Sequence, residues 1–494
     1  MSRVVLVTPP WYRLMNWHSN EMPLGLCALA GYLNSRGHDA RVLNQDFVPQ
    51  APSGEFEQKR MFEAYPQYQR LMSDPDAAIW REAVEEIERL EPEVLGMTVQ
   101  VGSFGSARRV ASLFKQRHPD VPVVVGGALA AIDPQGVLKF DAFDYCVQGE
   151  GEGAFAELVE RLGKHADVSD VANLALRTAS GLRVNERRPY IQDLDGLPFP
   201  DRDALVGLDR YPSDGLGALL TARGCPFRCT YCAASGVWGH GVRFRSPANV
   251  IAEMLLVLKR YGTRCFTFKD DTFTIKRERI AELCEMIRRE LPEVNWSCKT
   301  RADCVDEKII AQMADAGCIH VEIGLESGCP EVLQAVRKGE TVEQILRAGK
   351  LFRKAGIPTL VNIIVGFPDE TPDQMRQSFA VARSMKPGRI LASLLSPYPG
   401  TDIHRQLVES CRLDPETPWE AYFHASAESR RLKTDPEFAA AVQEVFDAVE
   451  HYNRARWRRM RSFGYLAVRH PKTAVARLRK YVRRGRPAAG RDGS

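Results

Sequence analysis

Three closely spaced cysteines constrain this chain more than any other feature of its sequence. Cys225, Cys229 and Cys232 form a C-x3-C-x2-C pattern within the stretch TARGCPFRCTYCAA. Thiolates at these spacings cannot all face one partner from a regular helix or strand, but they can from a loop, which Gly224 and Pro226 favour. Three soft thiolate ligands suit iron–sulfur chemistry, and a [4Fe–4S] cluster held by three cysteines keeps one iron open for another ligand.

A structural zinc site and three unrelated cysteines are the alternatives to such a cluster. Zinc needs a fourth ligand, usually from a second C-x2-C or H-x3-H pair. No such pair follows Cys232 in the sequence, although His240 is a stray candidate. The pattern and its surroundings therefore favour the iron–sulfur cluster.

Length and composition indicate a soluble protein of two or three domains. Of its 494 residues, 44% are hydrophobic and 26% are charged, as in ordinary globular proteins. The opening residues MSRVVLVTPP predict a short strand and not a signal peptide, and no run approaches the roughly 18 apolar residues of a membrane span. Twelve cysteines in a chain of this length, with an oxygen-sensitive cluster, indicate a reducing cytosol. Several of the others are expected in the core, among them Cys27, Cys146 and Cys318.

In the first third of the chain, short apolar strands alternate with helices. This alternation predicts a doubly wound parallel sheet. A polar stretch at about 47–77 has no clear period and is expected to be an insertion. The predicted strands are 3–8, 40–44, 94–99, 121–125 and 145–147, and the predicted helices are 24–36, 78–90, 103–117 and one after the segment GEGEGAF.

Glycine-rich or polar segments follow three of these strands. They are Thr98 to Gly102, which includes Gln100, the pair Gly126 and Gly127, and the turn Gly149, Glu150, Gly151 that continues to Gly153. Ligands of doubly wound sheets bind at the carboxyl ends of the strands. Glycines there let a large planar ligand approach the backbone closely. The alternative is that these segments are ordinary turns.

A second run of strands and helices begins after residues 165–205. That segment holds a hairpin-like stretch and then DLDGLPFPDRDAL, which predicts a linker crossing the surface. Six βα units follow, with strands predicted at 218–221, 264–269, 295–300, 320–324, 359–365 and 390–395 and the first helix at 247–261. They predict a partial (β/α)6 barrel with its active site at the carboxyl ends of the strands. A single acid or arginine is more often a surface ion pair, but several at successive strand ends favour a site. Besides the cysteines, the residues at this rim are Asp270, Asp271, Arg301, Glu322 and Gly366.

The cysteine motif and the order of the predicted strands and helices around it together resemble the radical S-adenosylmethionine (SAM) superfamily. In that family three cysteines hold a [4Fe–4S] cluster whose open iron binds the amino and carboxylate groups of SAM. The ordered set PLGL, GH, VVVGG and GEGE in residues 1–160 resembles the cobalamin-binding domain that precedes many of its barrels. The resemblance implies an α/β fold with a cobalamin-binding domain at 1–164, a linker at 165–205, a radical SAM core domain at 206–405 and a helical C-terminal region at 406–494.

The same resemblance implies cofactors and their contacts. The cofactors are the [4Fe–4S] cluster on the three cysteines, SAM and cobalamin. Asp270 and Asp271 occupy the position that contacts the SAM amino group, and Arg301 and Glu322 resemble carboxylate and ribose contacts. The full set of implied SAM contacts is Tyr231, Asp270, Asp271, Arg301, Glu322 and Gly366. The implied cobalamin contacts are Thr98, Gln100, Gly126, Gly127, Gly149, Glu150 and Gly151.

One departure concerns the lower face of cobalt. Better-known cobalamin proteins carry Asp-x-His-x-x-Gly, whose histidine binds cobalt from below. No Asp-x-His occurs in residues 1–160, and radical SAM members commonly lack it. We therefore expect cobalamin without a histidine ligand, which eases access to cob(I)alamin and implies two SAM molecules per methylation. The alternative for this domain is a sheet that has lost the cofactor and serves as a scaffold.

The C-terminal region is predicted to be helical up to about residue 453 and then strongly basic. From Arg454 to Ser494 there are 14 Lys or Arg and one acid, a net charge of +13 against +4 for the whole chain. A solvated tail is the default interpretation. The interleaved aromatic and aliphatic residues favour an anionic membrane surface over RNA, because no recognition module is visible. Trp419, Tyr422 and Phe423 are expected in the core rather than in a pocket.

The resemblance implies a cytoplasmic enzyme, membrane-peripheral if the tail binds lipid. Its expected reaction is methyl transfer from methylcobalamin to an unactivated carbon or phosphorus centre after radical hydrogen abstraction; a cyclisation or rearrangement is the alternative. A methylthiotransferase acting on RNA or protein needs more cysteines before residue 225 than Cys27 and Cys146. The implied partners are a small-molecule or lipid-like substrate and an electron donor such as flavodoxin or ferredoxin, with no nucleic acid.

Overall fold

The chain folds into two compact units that are interleaved in sequence. A computed structural model describes residues 1–17, 19–47, 58–422 and 430–455. Among the described residues, the first unit comprises those of Met1–Thr263, Gln334–Gly339 and Leu394–Asp435, and the second comprises those of Arg264–Leu333 and Glu340–Ser393 and those from Pro436 to Ala455. The chain therefore passes between the units several times, and each is described by itself.

A seven-stranded sheet forms the centre of the first unit. Its order is β2-β1-β3-β4-β5-β6-β7, and the order of the first five strands is that of a doubly wound fold. They run parallel, whereas β6 and β7 are antiparallel and correspond to the hairpin-like stretch predicted after residue 165. The strands are β1 (Arg3–Thr8), β2 (Asp39–Asn44), β3 (Val94–Thr98), β4 (Val123–Gly126), β5 (Tyr145–Val147), β6 (Leu174–Thr178) and β7 (Gly181–Val184).

Helices cover both faces of this sheet. Buried apolar side chains of α1 and α7, such as Leu26 and Phe155, pack on one face, and those of α3 and α4, such as Trp80 and Phe114, pack on the other. The helices are α1 (Leu24–Ser35), α2 (Gln58–Ser73), α3 (Ala78–Glu88), α4 (Phe104–Arg117), α5 (Ala128–Ile132), α6 (Pro134–Leu138) and α7 (Gly151–Leu162). The prediction of an insertion without periodicity at 47–77 is wrong for α2, since Pro66 inside this helix masked its pattern.

The predicted surface linker packs closely against the sheet. Val42 of the edge strand β2 donates its N–H to the carbonyl of Ala204 at 2.8 Å and accepts the N–H of Val206 at 2.9 Å. Arg202 is 1% exposed, and its guanidinium binds the fully buried carboxylate of Glu253 at 2.9 Å. The expectation that this segment crosses the surface is therefore wrong around Arg202, because its partner, Glu253, lies far along the sequence.

The cysteines lie in the first unit, in a loop closed by a short hairpin. We call residues 224–242 the cysteine loop. It is flanked by β9 (Ala222–Arg223) and β10 (Arg243–Phe244), which pair antiparallel with Arg223 opposite Arg243. The other elements of this part of the unit are β8 (Ala218–Leu219), α8 (Ala234–Trp238), α9 (Pro247–Tyr261), α15 (Asp402–Glu409) and α16 (Arg430–Thr434).

Parallel strands and helices alternate in the second unit. The strand order is β15-β14-β13-β12-β11, and Thr341 and Thr371 begin two of the helices with capping boxes. The strands are β11 (Cys265–Phe268), β12 (Asn295–Thr300), β13 (Cys318–Glu326), β14 (Thr359–Val365) and β15 (Arg389–Leu394). The helices are α10 (Arg277–Glu290), α11 (Glu307–Asp315), α12 (Pro330–Ala335), α13 (Val342–Lys354), α14 (Pro372–Ser384) and α17 (Pro436–Arg454). Within the part of the chain described, no helix combines the length and apolar character needed to cross a membrane.

Candidate cofactor sites

The backbone fixes the cysteine loop at its neck and at its far end. Gly224 has φ +98°, and a Cβ there would lie 2.1 Å from the carbonyl oxygen of Gly241, so only glycine fits at the neck. At the far end, Thr230 is buried. It donates its N–H to the carbonyl of Val336 at 3.0 Å and accepts the N–H of Ile403 at 3.0 Å. The backbone of the loop is therefore anchored at its neck and at Thr230, between Cys229 and Cys232.

Solvent reaches the three cysteines of this loop. Cys225 and Cys229 are partly exposed and Cys232 is exposed, whereas Cys27 and Cys146 are buried. Burial raises the pKa of the Cys27 thiol to about 12 and also raises the pKa of Cys146. Accessible thiols can ionise and bind metal, whereas buried ones are inert. The prediction that Cys27, Cys146 and Cys318 are core thiols is confirmed, and the first two offer no second iron site.

The cysteines are suited to a cluster more than to a single ion. In the described ranges, no three His, Cys, Asp or Glu side chains converge as ligands of one metal ion do. A [4Fe–4S] cluster makes a different demand, since each cysteine binds its own iron. Three accessible thiols on one braced loop meet that demand. Tyr231 lies between two of them and is partly exposed.

Two glutamates of the GEGE segment bind two arginines that flank the cysteine loop. The carboxylate of Glu150 accepts hydrogen bonds from Arg223 at 2.6 Å and Arg243 at 2.7 Å, and Glu152 accepts one from Arg223 at 2.5 Å. We call these four residues the ion-pair network. Burial alone would lower the pKa of Arg223, but Glu152 and Glu150 outweigh it, so the pKa is raised and the side chain stays charged. The Glu150 side chain, predicted to contact cobalamin, is thus fully engaged within the protein.

At three glycines near the ends of β4 and β5, a Cβ atom would make no close contact. A Cβ built on Gly126 meets only the carbonyl oxygen of Val147, at 3.8 Å, and those built on Gly149 and Gly151 meet only side-chain atoms at 3.9 Å. We call these three residues the glycine edge. Gly127 differs, since its Cβ would lie 2.7 Å from Thr98 Oγ1 and its φ is +102°. Gly127 therefore serves the packing of β4 on β3, while the glycine edge leaves room for a ligand.

Protein side chains pack around the loops that follow β1 and β3. Asp46 is buried and accepts the N–H groups of Trp11 at 2.7 Å and Arg13 at 3.0 Å, which holds the loop after β1 over the sheet. The ring of Trp11 lies against Gly102, where a Cβ would approach it to 2.7 Å. Gln100 is exposed, and its N–H is bound by Ser103. The open part of this edge is consequently over β4 and β5.

The described histidines of residues 1–160 lie at the amino ends of the strands, opposite to the glycine edge. His38 precedes the amino end of β2, and His118 precedes β4 and contacts Glu88 at 2.8 Å. His18 lies outside the described residues. The glycine edge is at the carboxyl ends of the strands, so neither His38 nor His118 is placed to reach a ligand there.

One face of the sheet in the second unit is polar and partly exposed. Residues alternate along β13, where Val321, Ile323 and Leu325 are buried while His320 and Glu322 are not. Parallel sheets are usually apolar on both faces, so a polar face indicates a ligand site. Glu322 pairs with Lys299 of β12 at 3.5 Å.

The remaining predicted SAM contacts differ in their solvent exposure and in the hydrogen bonds they already make within the protein. The pKa of Asp271 is raised, because desolvation of its carboxyl by neighbouring protein outweighs the opposing effect of Lys299, although part of the residue stays exposed to solvent. Asp270 is 1% exposed. Arg301 is also buried and is bound by Asp303 at 2.8 and 3.0 Å, with Glu340 at 3.5 Å. The N–H of Gly366, whose φ is +87°, donates to Glu370 at 2.6 Å.

Two protein-family models match this chain. The B12 binding domain model matches residues 15–159, and the Radical SAM superfamily model matches residues 219–382. An uncharacterized methyltransferase from Pyrococcus horikoshii is 32% identical over 318 residues, which cover 64% of this chain and 69% of that protein. The chain belongs to the radical SAM superfamily, in the branch with a B12-binding domain. This radical SAM protein is methyltransferase-like, and its cofactors are a [4Fe–4S] cluster, SAM and cobalamin.

Two further proteins show the breadth of this resemblance. An anaerobic magnesium-protoporphyrin IX monomethyl ester cyclase from Rubrivivax gelatinosus is 31% identical over 335 residues, 65% of this chain and 60% of that protein. The solved structure of TsrM, a radical SAM methyltransferase from Kitasatospora setae, superposes with a TM-score of 0.69 at 20% identity and covers 98% of this chain and 100% of its own. That likeness confirms the fold, a doubly wound cobalamin-binding sheet with a radical SAM partial barrel.

The cofactors fit the residues that this radical SAM protein presents. Accessible thiols suit the cluster, and the open glycine edge suits the close approach of a corrin. Thr8 Oγ1 at the carboxyl end of β1 is buried and, within the described residues, lacks a hydrogen-bond partner. The sequence did not point to Arg223, Arg243, Trp11 or Asp46. The sequence does show one arginine on each side of the cysteine loop, Arg223 and Arg243. Their acidic partner Glu150 lies some 70 to 90 residues earlier in the chain, so the pairing is not visible in the sequence.

Proposed function

We propose that this radical SAM enzyme methylates an unactivated carbon or phosphorus centre of a small molecule. The observation that carries the proposal is that the cysteine loop and the glycine edge belong to one compact unit and are joined through Glu150. A relative at 32% identity is named a methyltransferase. When bound, the cluster and SAM supply a radical and cobalamin supplies a methyl carrier, a combination suited to centres that are not nucleophilic.

The residues of this chain hold and separate these reagents. Cys225, Cys229 and Cys232 would bind the cluster, and the glycine edge would seat the corrin. Asp46 fixes the loop after β1, whose aromatic rings Trp11 and Tyr12 lie 4.5 Å apart between centroids. We propose that these rings would help to exclude water from the reacting centre. No histidine ligand to cobalt is invoked.

For SAM, we propose that the exposed charges of the second unit make the direct contacts. Asp271 and Glu322 would accept hydrogen bonds from the amino group and the ribose, and Lys299 would neutralise them. Arg301 and Asp270 are buried, and we assign them to support of the strand ends beneath these contacts. Gly366 would border the adenine.

A cyclisation is the second candidate, because a relative at 31% identity is named a cyclase. The two reactions differ in the fate of the methyl group. Methylation consumes one SAM as methyl donor, giving S-adenosylhomocysteine, and a second SAM as radical source, giving methionine and 5′-deoxyadenosine that carries the abstracted hydrogen; two electrons are needed per turnover to balance the reaction. Cyclisation gives no S-adenosylhomocysteine. We propose that a flavodoxin or ferredoxin in the cytoplasm supplies the electrons.

The test uses anaerobically reconstituted enzyme, a chemical reductant, SAM labelled with deuterium in its methyl group, and a fractionated small-molecule extract. We expect a product heavier by one labelled methyl group and equal yields of S-adenosylhomocysteine and 5′-deoxyadenosine. A Cys225→Ala, Cys229→Ala, Cys232→Ala variant is the control and should give neither the labelled product nor 5′-deoxyadenosine. Extract-dependent 5′-deoxyadenosine without S-adenosylhomocysteine would contradict methylation and favour the cyclase.

A further inference from the structure

The ion-pair network joins the glycine edge to the base of the cysteine loop. Glu150 stands between Gly149 and Gly151, and Arg223 immediately precedes Gly224 at the neck of the loop. Both oxygens of Glu150 are engaged: Oε1 accepts from Arg223 and Arg243, and Oε2 accepts from Arg243 at 2.9 Å and from the N–H of Ile191 at 2.7 Å. A single carboxylate thus fixes both ends of the hairpin that closes the loop.

This network is buried. The side chains of Glu150, Arg243, Glu152 and Arg223 are 5%, 8%, 10% and 11% exposed. Arg243 also lies over the ring of Tyr190 at 4.8 Å, and Arg223 lies over the ring of Trp238 at 5.5 Å. Buried ion pairs contribute little net stability compared with apolar side chains of similar size, because charges are costly to desolvate. Their benefit in such places is geometric, since forked guanidinium groups fix direction as well as distance.

A second set of contacts connects the glycine edge with the cysteine loop. Helix α5 begins directly after Gly127, and its last residue, Ile132, packs against Gly236 of α8, just past Cys232, where a Cβ would come within 3.2 Å. Arg187 bridges the two helices through the carbonyl oxygens of Ala131 and Gly236. The turns that follow β4 and β5 are therefore both connected to the cysteine loop, one by packing and one by charge.

We propose that Glu150, Glu152, Arg223 and Arg243 are positioning residues that couple the cysteine loop to occupancy of the glycine edge. A corrin held at Gly126, Gly149 and Gly151 would contact the turn that carries Glu150. Because Glu150 holds the neck of the loop, that contact would restrict the loop and its thiols. The inference rests on the family's cofactors and not on methyl transfer, so it holds for a cyclase as well.

The test measures coupling without turnover or substrate. Reconstituted protein, with and without hydroxocobalamin, is exposed anaerobically to an iron chelator, and the rate of iron release is recorded. In the wild type we expect cobalamin to slow release at least fivefold, the size of a modest coupling between sites. In Glu150→Gln and Arg223→Met the ratio should fall to about one, and the paramagnetic spectrum of the reduced cluster should no longer respond to cobalamin.

Two variants separate positioning from loss of stability. Glu253→Gln disrupts another buried carboxylate with two arginine partners, Arg202 and Arg245, in the same unit. It should lower the melting temperature as Glu150→Gln does while keeping the fivefold ratio. Arg223→Lys keeps the positive charge but loses the forked guanidinium geometry. It should therefore retain part of the ratio of iron-release rates without and with cobalamin. If Glu150→Gln fails to fold, Glu152→Gln takes its place.

The results that would overturn the proposal are specific. They are a wild-type ratio near one, a full ratio in Glu150→Gln or its substitute, or an equal loss of the ratio in Glu253→Gln. None of these bears on which product the enzyme forms. Conversely, a failed methylation assay would leave the measured ratio unaffected, so the two proposals fail independently.

Discussion

Gly126 and Gly127 are neighbours with opposite constraints. Both were predicted from the sequence to line a cobalamin site, because a glycine pair at a strand end permits close approach of a ligand. The structure places open space beside Gly126 and the end of β3 beside Gly127. Which glycine meets ligand and which meets protein depends on a strand 25 or more residues away and is not encoded locally.

We predict different consequences of substitution at these two positions. Gly126→Trp should fill the glycine edge and abolish cobalamin retention while leaving iron content unchanged. Gly127→Ala should lower the free energy of unfolding by about 1–3 kcal/mol, because its Cβ meets Thr98 and its φ disfavours a side chain. Cobalt and iron contents after desalting, with urea unfolding, give these values. Full cobalt retention by Gly126→Trp would show that the corrin binds elsewhere.

Asp46 gives a prediction for pH. Burial raises the pKa of this carboxyl to about 6, against the opposing effect of the N–H groups of Arg13 and Trp11. A carboxyl whose pKa is higher in the folded than in the unfolded state holds its proton more tightly when folded, so stability falls as pH rises from about 4 through 6. Between pH 5 and pH 7.5 the wild type should lose about 1.5 kcal/mol more than Asp46→Asn, as measured by urea unfolding. Equal losses would contradict the raised pKa.

At the scale of elements, the sequence predicted most of the fold. The strands Asn295–Thr300 and Thr359–Val365 and the helix Pro247–Tyr261 have the predicted bounds, because apolar runs, Ser246 as an N-cap and Gly262 at the end mark them locally. Strand β13 extends two residues beyond the predicted strand at each end, from Cys318 to Glu326 rather than from His320 to Gly324. The ion-pair network and the packed linker were missed because they depend on charges distant in sequence.

The last turn of helix α17 is hydrogen-bonded to backbone groups of the second unit, and these bonds determine where the basic tail can be removed without loss of stability. Tyr452 donates its hydroxyl to the carbonyl of Pro387 at 2.8 Å, and the Asn453 side chain makes two hydrogen bonds to the backbone of Ile390 at 2.8 and 3.0 Å. Tyr422 is buried, as predicted. Phe423 and the basic tail from residue 456 lie outside the described residues, and membrane binding by that tail stays a prediction.

We therefore predict that a chain ending at Ala455 keeps the stability of the whole protein but no longer sediments with vesicles of anionic lipid. Salt should weaken binding by the full chain. A chain ending at Tyr452 should be about 1–3 kcal/mol less stable, since Asn453 is lost and the backbone groups of Ile390 lose their partners. Vesicle binding that persists in the Ala455 truncation would exclude the tail as the lipid contact.

At the scale of the molecule, the predicted order of domains and the observed units divide the chain differently. The predicted domains follow one another along the sequence, and their boundaries stay predictions. The compact units do not follow one another, because Gln334–Gly339 and Leu394–Asp435 return to the first unit. Val336 and Ile403, which brace the cysteine loop at Thr230, lie in these returning segments. Sequence patterns report neighbours along the chain and cannot show such returns.

The reach of Glu150 to Arg223 and Arg243 has a consequence for recombination. A crossover near residue 205, where the sequence suggests a junction, would bring the GEGE turn of one parent together with the cysteine hairpin of the other. A recombinant protein whose parents differ at any of the four residues of the ion-pair network would contain a buried charge without its partner. Such a charge lowers the free energy of unfolding by about 3–5 kcal/mol. We therefore expect a chimera to stay folded only when its parents match at these four positions, so an engineered exchange should transfer residues 149–152 and 223–243 together.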